Sequence, residues 1–148
     1  IDPELIEEVI NKHPGVLVSI AIGLPDPYAG ELPMAFVVKT PESKLSELEL
    51  IEYCQNTITE RAAIPKRIEF IESLPLTAVG KIFKPTLRQM IVKKVLQELL
   101  EDNAIAGTAS AILESKSGLV AKISLRDTNQ IRLVKELVQN YIFPVDIS

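Results

Sequence analysis

Scarcities set the first limits on this chain. Among its 148 residues there is one cysteine, one histidine and no tryptophan. A lone Cys54 excludes an internal disulfide and any thiolate metal cluster. Aromatic residues make up 5% and the formal net charge is −4, so the clustered basic and stacking surface of a nucleic-acid binder is not expected. No apolar run approaches the roughly 18 residues that suggest a membrane span. The chain opens "IDPEL", with no methionine and no basic segment leading into an apolar run. That beginning reads as a fragment or processed product, not an export precursor.

What is present is globular in composition, with 47% hydrophobic and 24% charged residues. The length suits one ordinary domain, or one domain with a small appendage. Asp2 and Pro3 form a helix start, a capping side chain followed by proline at a position that needs no amide hydrogen. Leu5, Ile6, Val9 and Ile10 recur on one face of that helix, and Pro14-Gly15 ends it. His13 is expected on the solvent side of its last turn. "VLVSIAIG" (16–23) reads as a buried strand, "LPDPYAGELP" as a loop, and "MAFVVKT" (34–40) as a second strand. A second helix runs from Ser46 to about Thr59, opened by a Ser46/Glu49 capping box, with Leu48, Ile51, Cys54 and Ile58 facing inward. Cys54 then serves as a small core hydrophobe. "KRIEFIES" (66–73) is a third strand. A helix from Pro85 or Thr86 to Leu100 follows, with a stripe through Leu87, Met90 or Ile91, Val95 and Leu99. Beyond residue 103 the pattern becomes β-β-α-β, with a turn at Lys116-Ser117-Gly118. The fold class expected is α/β (α+β): a small mixed sheet flanked by helices, with this extension at its end. The domain division expected is 1–103 and 104–148, the latter packed on the former.

Between the third strand and the long helix lies "SLPLTAVGKIFKPTLRQ" (73–89). A phosphate-binding loop of the G-x-x-x-x-G-K-[ST] type is not encoded, because Pro75 stands where the first glycine belongs and Ile82 follows Lys81. The dinucleotide pattern G-x-G-x-x-G is absent too. What remains is a stiffened loop: Pro75 restricts the approach, Thr77 can bond local backbone, and Gly80 permits a positive-φ turn. Lys81 is thereby offered at a defined place, as a point charge suited to a phosphate or carboxylate. The plainer alternative is a solvated turn lysine.

The same residues resemble the C-terminal signature of the adenylate-forming enzymes, which include acyl-CoA synthetases, 4-coumarate–CoA ligases, firefly luciferase and peptide-synthetase adenylation domains. The signature P-x-T-x-x-G-K-[IVL] is matched by Pro75, Thr77, Gly80, Lys81 and Ile82, with Leu87 and Arg88 beyond. The opening, "IDPELIEEVINKHPGVLVSIAIGLPDPYAGELPMAFVV", is similar to a second stretch of that family. The two motifs stand in family order across residues 1 to about 100. The resemblance implies the lid domain of an ATP-dependent carboxylic acid–CoA ligase, most like the fatty-acid–CoA ligases. Lys81 would be the catalytic lysine of acyl-adenylate formation. A large N-terminal adenylation domain of the same polypeptide would be the partner, binding ATP, magnesium and the acid. The lid would then rotate so that CoA can attack the adenylate. The resemblance implies a cytoplasmic enzyme of fatty acid metabolism, with no metal site on this chain and an inactive isolated fragment.

Gly80, Lys84 and Arg88 are the candidate contacts to nucleotide or CoA phosphates; the plainer alternative for Lys84 and Arg88 is that they merely solvate a helix start. The family's hinge residue and a loop glycine would lie upstream of Ile1. "RAAIPKR" replaces the usual aromatic-lysine pair, leaving Arg61, Lys66 or Arg67 for any nucleotide contact there. The tail from Ala104 is outside the usual signature. Two other functions stay open: a lid whose acceptor is a carrier-protein thiol, and a non-catalytic regulatory or protein-interaction α/β module.

Overall fold

The computed structural model describes residues 2–116 and 118–148. The chain forms two compact units, the first from Ile1–Leu24 with Leu32–Lys84, the second from Pro25–Glu31 with Pro85–Ser148. The division therefore falls at the start of the long helix, which groups with the tail strands.

In the first unit, helix α1 (Pro3–Asn11) begins as its sequence dictates: Asp2 is the N-cap, its carboxylate accepting from the Glu4 amide at 2.9 Å. Strands β1 (Val16–Asp26) and β2 (Gly30–Lys39) follow, with their connecting tip, Pro25–Glu31, grouping with the second unit, then helix α2 (Glu47–Thr57) and strand β3 (Arg67–Phe70). The sheet order is β1-β2-β3, and β3 runs parallel to β2 in a register pairing Ala35 with Ile68. A central strand is covered on both faces, which is why β2 is buried continuously from Pro33 to Val38. Ile6 and Ile10 of α1 and Leu50 and Cys54 of α2 pack with Val16, Ala21, Ala35, Val37 and Ile68 in one core.

Three expectations need correction here. The loop expected over 24–33 is mostly strand, and only Pro27, Tyr28 and Ala29 connect β1 to β2. Asp26 makes this tight connection possible: its carboxylate accepts from the Tyr28 and Ala29 amides at 2.9 and 2.8 Å, and Gly30 takes the positive φ (+80°) that closes it. His13 lies beyond the end of α1, half-buried, where its Nδ1 accepts from the Gly15 amide at 2.9 Å and its ring meets Tyr53 edge-on at 5.0 Å. Leu48 is 66% exposed, while Leu50 is fully buried in its place. The capping box itself is present in full, Ser46 and Glu49 each bonding the other's amide at 3.1 Å.

The second unit is built on α3 (Lys84–Asp102), β4 (Gly107–Glu114), β5 (Gly118–Leu125), α4 (Ile131–Val138) and β6 (Val145–Ile147). Its sheet order is β4-β5-β6, antiparallel then parallel, so the expected β-β-α-β order of the tail is what the chain adopts. The turn expected at Lys116-Ser117-Gly118 includes Ser117, outside the described residues. Val92, Leu96 and Leu100 of α3 and Val134 and Val138 of α4 pack on Ala109, Ala111, Ala121 and Ile123. The stripe on α3 matches the expected one in part: Leu87 and Ile91 are buried, but Met90 is 41% exposed and Val95 and Leu99 are only half-buried, Leu96 and Leu100 taking the buried face. With the sheet's other positions, this gives two mixed sheets flanked by helices.

Candidate active-site lysine loop

Residues 75–83 form a miniature hairpin between β3 and α3. Leu76 and Ile82 make an antiparallel bridge, and the Phe83 amide donates to the Pro75 carbonyl at 2.9 Å. Ala78, Val79 and Gly80 turn the chain at its tip. Thr77 holds that turn with three bonds. Its amide donates to the Lys81 carbonyl at 2.7 Å, its carbonyl accepts from the Gly80 amide at 2.9 Å, and its hydroxyl accepts from the Lys81 amide at 3.2 Å. Gly80 has φ +81°, the left-handed value that closes a loop of this length without a Cβ penalty. A Cβ there would meet no atom within 4 Å, so Gly80 is required by backbone conformation and not by crowding.

The consequence is an ordered backbone carrying a free side chain. Lys81 is exposed, and among the described residues no acidic group pairs with it. Side chains alternate along each arm, so Lys81 and Phe83 leave one face of the hairpin and Leu76 and Ile82 the other. Lys81 is the only charged residue from Pro75 to Phe83. Its ammonium can therefore be delivered to an anion held elsewhere without first breaking an ion pair.

The other basic candidates lie outside this hairpin in the sequence. Lys84 is the first residue of α3 and half-buried, and Arg88 is exposed one helical turn later, so the two positions share a face of that helix. No acidic residue occupies the first turn of α3, leaving positive charge at a helix start where the dipole would favour the opposite sign. Of the three basic residues near Pro65, Arg67 is engaged, its Nε 2.7 Å from Glu69 Oε2 with both side chains largely covered. Arg61 and Lys66 are exposed. Cys54 is fully buried in the core, and burial pushes its thiol up to about 11 from an ordinary 9.0, so it is no nucleophile. Among the described residues no three His, Cys, Asp or Glu side chains are grouped to hold a metal ion, and no helix is long and apolar enough to cross a membrane.

Sequence reasoning overlooked the apolar company of Lys81. Leu76, Val79 and Phe83 are 61%, 81% and 39% exposed. The signal was available in the string "LTAVGKIF", which contains large apolar residues where a solvated turn favours Asn, Asp or Ser.

The family model for the AMP-binding enzyme C-terminal domain matches residues 5–81, more than half of the chain and ending on the loop lysine. This chain belongs to that family. Among relatives of the AMP-binding C-terminal domain, a marinolic acid–CoA ligase from Pseudoalteromonas is 36% identical over 132 residues, 88% of this chain but 20% of its own length. A fatty acyl-CoA synthetase from Mycobacterium tuberculosis has a similar solved structure, 40% identical with a TM-score of 0.55, over 60% of this chain and 17% of its own. ATP-bound MatB from Rhodopseudomonas palustris is 29% identical with a TM-score of 0.56, over 61% of this chain and 18% of its own. The chain thus spans about a fifth of the length of the curated relative matched most extensively here. It has the mixed α/β fold of the C-terminal domain of adenylate-forming enzymes.

Proposed function

We propose that this chain is the lid of an ATP-dependent carboxylic acid–CoA ligase and that Lys81 is its catalytic contribution. The observation carrying this reading is the hairpin of residues 75–83: an ordered turn, closed by Thr77 and Gly80, that presents one exposed and unpaired ammonium. A large adenylation domain would hold ATP with its magnesium and the acid, most readily a fatty acid. The carboxylate oxygen attacks the α-phosphorus, the bond to pyrophosphate breaks, and an acyl-adenylate forms. Negative charge gathers at the reacting oxygens as this happens. An ammonium placed there in advance lowers the barrier more than it strengthens ground-state binding. Holding the carboxylate against the phosphate adds the advantage of proximity.

In the second half-reaction the sulfur of CoA attacks the acyl carbon, AMP departs, and the thiol proton is released. Lys81 has no part in that step, so the lid would rotate and withdraw it. Lys84 and Arg88 are the cations available to CoA or nucleotide phosphates; Arg61 and Lys66 are further candidates, whereas Arg67 already serves Glu69. No step is assigned to a metal held by this chain.

The test uses the full-length enzyme that carries this lid, incubated with ATP, magnesium and CoA and with butyrate, dodecanoate or cinnamate in turn. Acid-dependent release of AMP and pyrophosphate together with a CoA thioester is the expected result. The isolated 148-residue chain is expected to produce none. AMP release with no thioester, and acyl transfer to a carrier-protein thiol instead, would replace CoA as acceptor. No acid-dependent ATP cleavage with any of them would remove the ligase reading.

A further inference from the structure

The hairpin carrying Lys81 is unusual in what surrounds its one charge. Leu76, Val79 and Phe83 leave it in different directions, one on the face opposite the lysine, one at the tip and one on the lysine's own face, and all are substantially exposed. Local structure gives no reason for them. Val79 is β-branched at a turn tip, 81% exposed, where a small polar residue would serve the backbone better. A cluster of apolar residues on one short exposed element marks a contact surface, unlike apolar residues scattered singly.

We propose that Leu76, Val79 and Phe83 form an apolar collar that seats against an apolar rim of the adenylation domain and seals water away from Lys81 during adenylate formation. This rests on the function proposed above for Lys81. The occupant follows from the length comparison: the curated relative has about four times as much chain again as is matched here, and a lysine reaching substrates held there must bring its neighbours into contact with that body. The physical gain is dielectric. A charge pair that is weak in water strengthens severalfold in a dry cleft, so the collar turns an exposed lysine into an effective one on docking alone.

The test uses the full-length enzyme with dodecanoate, or whichever of the three acids above supports turnover. Acid-dependent ATP–pyrophosphate exchange is compared with thioester formation from synthetic acyl-adenylate, for Lys81→Ala, Val79→Ser, Leu76→Ser and Val79→Ile. The collar predicts that exchange falls about tenfold in each serine variant, since partial wetting weakens but does not remove the lysine's charge. Thioester formation should be unchanged, Val79→Ile should behave as wild type, and exchange in the serine variants should become more sensitive to added salt. If Lys81→Ala loses exchange while both serine variants keep it, the collar is overturned and the lysine assignment survives. If the serine variants lose both half-reactions equally, the residues support the fold and the collar is again overturned. If Lys81→Ala itself is active, the underlying assignment fails and the collar with it.

Discussion

The two units solve one structural problem with different chemistry. Each contains a small sheet whose edge strands carry backbone groups with no neighbouring strand, and each closes an edge with helix side chains. The first unit uses carboxylates. Glu7 of α1 accepts from the Ala21 amide on β1 at 2.8 Å, and Glu47 of α2 accepts from the Ile68 amide on β3 at 2.9 Å. The second uses carboxamides from α3. Gln97 accepts from the Ala109 amide at 2.9 Å and donates to the Gly107 carbonyl at 3.2 Å, and Gln89 donates to the Ala111 carbonyl at 2.7 Å. A carboxylate can only accept, so it suits one bare N–H. A carboxamide does both, so one glutamine can span two positions of an edge as a partner strand would. The comparison shows that glutamate and glutamine are not equivalent here.

Core truncation should give the largest effect on this comparison. Leu50→Ala in the first core and Leu96→Ala in the second should each cost about 3 kcal/mol, since both are fully buried. Hydrogen exchange should show each loss concentrated in its own unit; uniform deprotection by either substitution would erase the distinction between them. Glycines should separate the units next. Gly107→Ala would set a Cβ 2.8 Å from the Ser124 carbonyl oxygen, forcing backbone movement at a cost of about 2 kcal/mol. Gly80→Ala meets no atom and strains only a positive φ, a cost of about 1 kcal/mol by urea denaturation. Equal losses would contradict this reading of the two glycines.

Edge closure should come out at a similar or smaller scale. Glu47→Ala and Gln97→Ala each strand backbone groups and should destabilise by about 1 kcal/mol. The informative pair is Glu47→Gln, expected to retain most of its stability because the amide oxygen still accepts, and Gln97→Glu, expected not to, because the donor to Gly107 is gone. The smallest effect concerns pH. Burial holds the Cys54 thiol protonated to about pH 11, against an ordinary 9.0. The folded chain thus binds the proton more tightly than the unfolded one, and its contribution is whole below pH 9 and lost as pH rises toward 11. Cys54→Ala should lower stability overall but flatten its decline in that window.

Much of this was legible in the sequence where local chemistry decides. The Asp2 cap, the Ser46/Glu49 box and the Thr77–Gly80 turn depend on neighbours within four residues, and all are as the sequence implies. What failed depends on tertiary packing. In α2, Leu48, Leu50, Ile51 and Tyr53 offer overlapping apolar stripes, and the sheet selects the one through Leu50 and Cys54. In α3, steps of four residues drift round the helix by about 40° each, so a straight stripe drawn from Leu87 loses the face that Val92, Leu96 and Leu100 bury. The ten residues 24–33 suggest a long β-connection; Asp26 instead bonds the amides that let a short turn close. At the site, Lys81 was visible through its motif, whereas the exposure of Leu76, Val79 and Phe83 had to be seen in the fold.

The central claim is that this hairpin delivers Lys81 for adenylation and for nothing else. The most direct measurement is single-turnover kinetics of both half-reactions in the full-length enzyme carrying Lys81→Ala. The claim predicts a loss of about two to three orders of magnitude in adenylate formation, as for removal of one preorganised donor to a developing charge, with thioester formation from supplied adenylate near wild type. Wild-type rates in both half-reactions would contradict it and make Lys81 an ordinary turn residue.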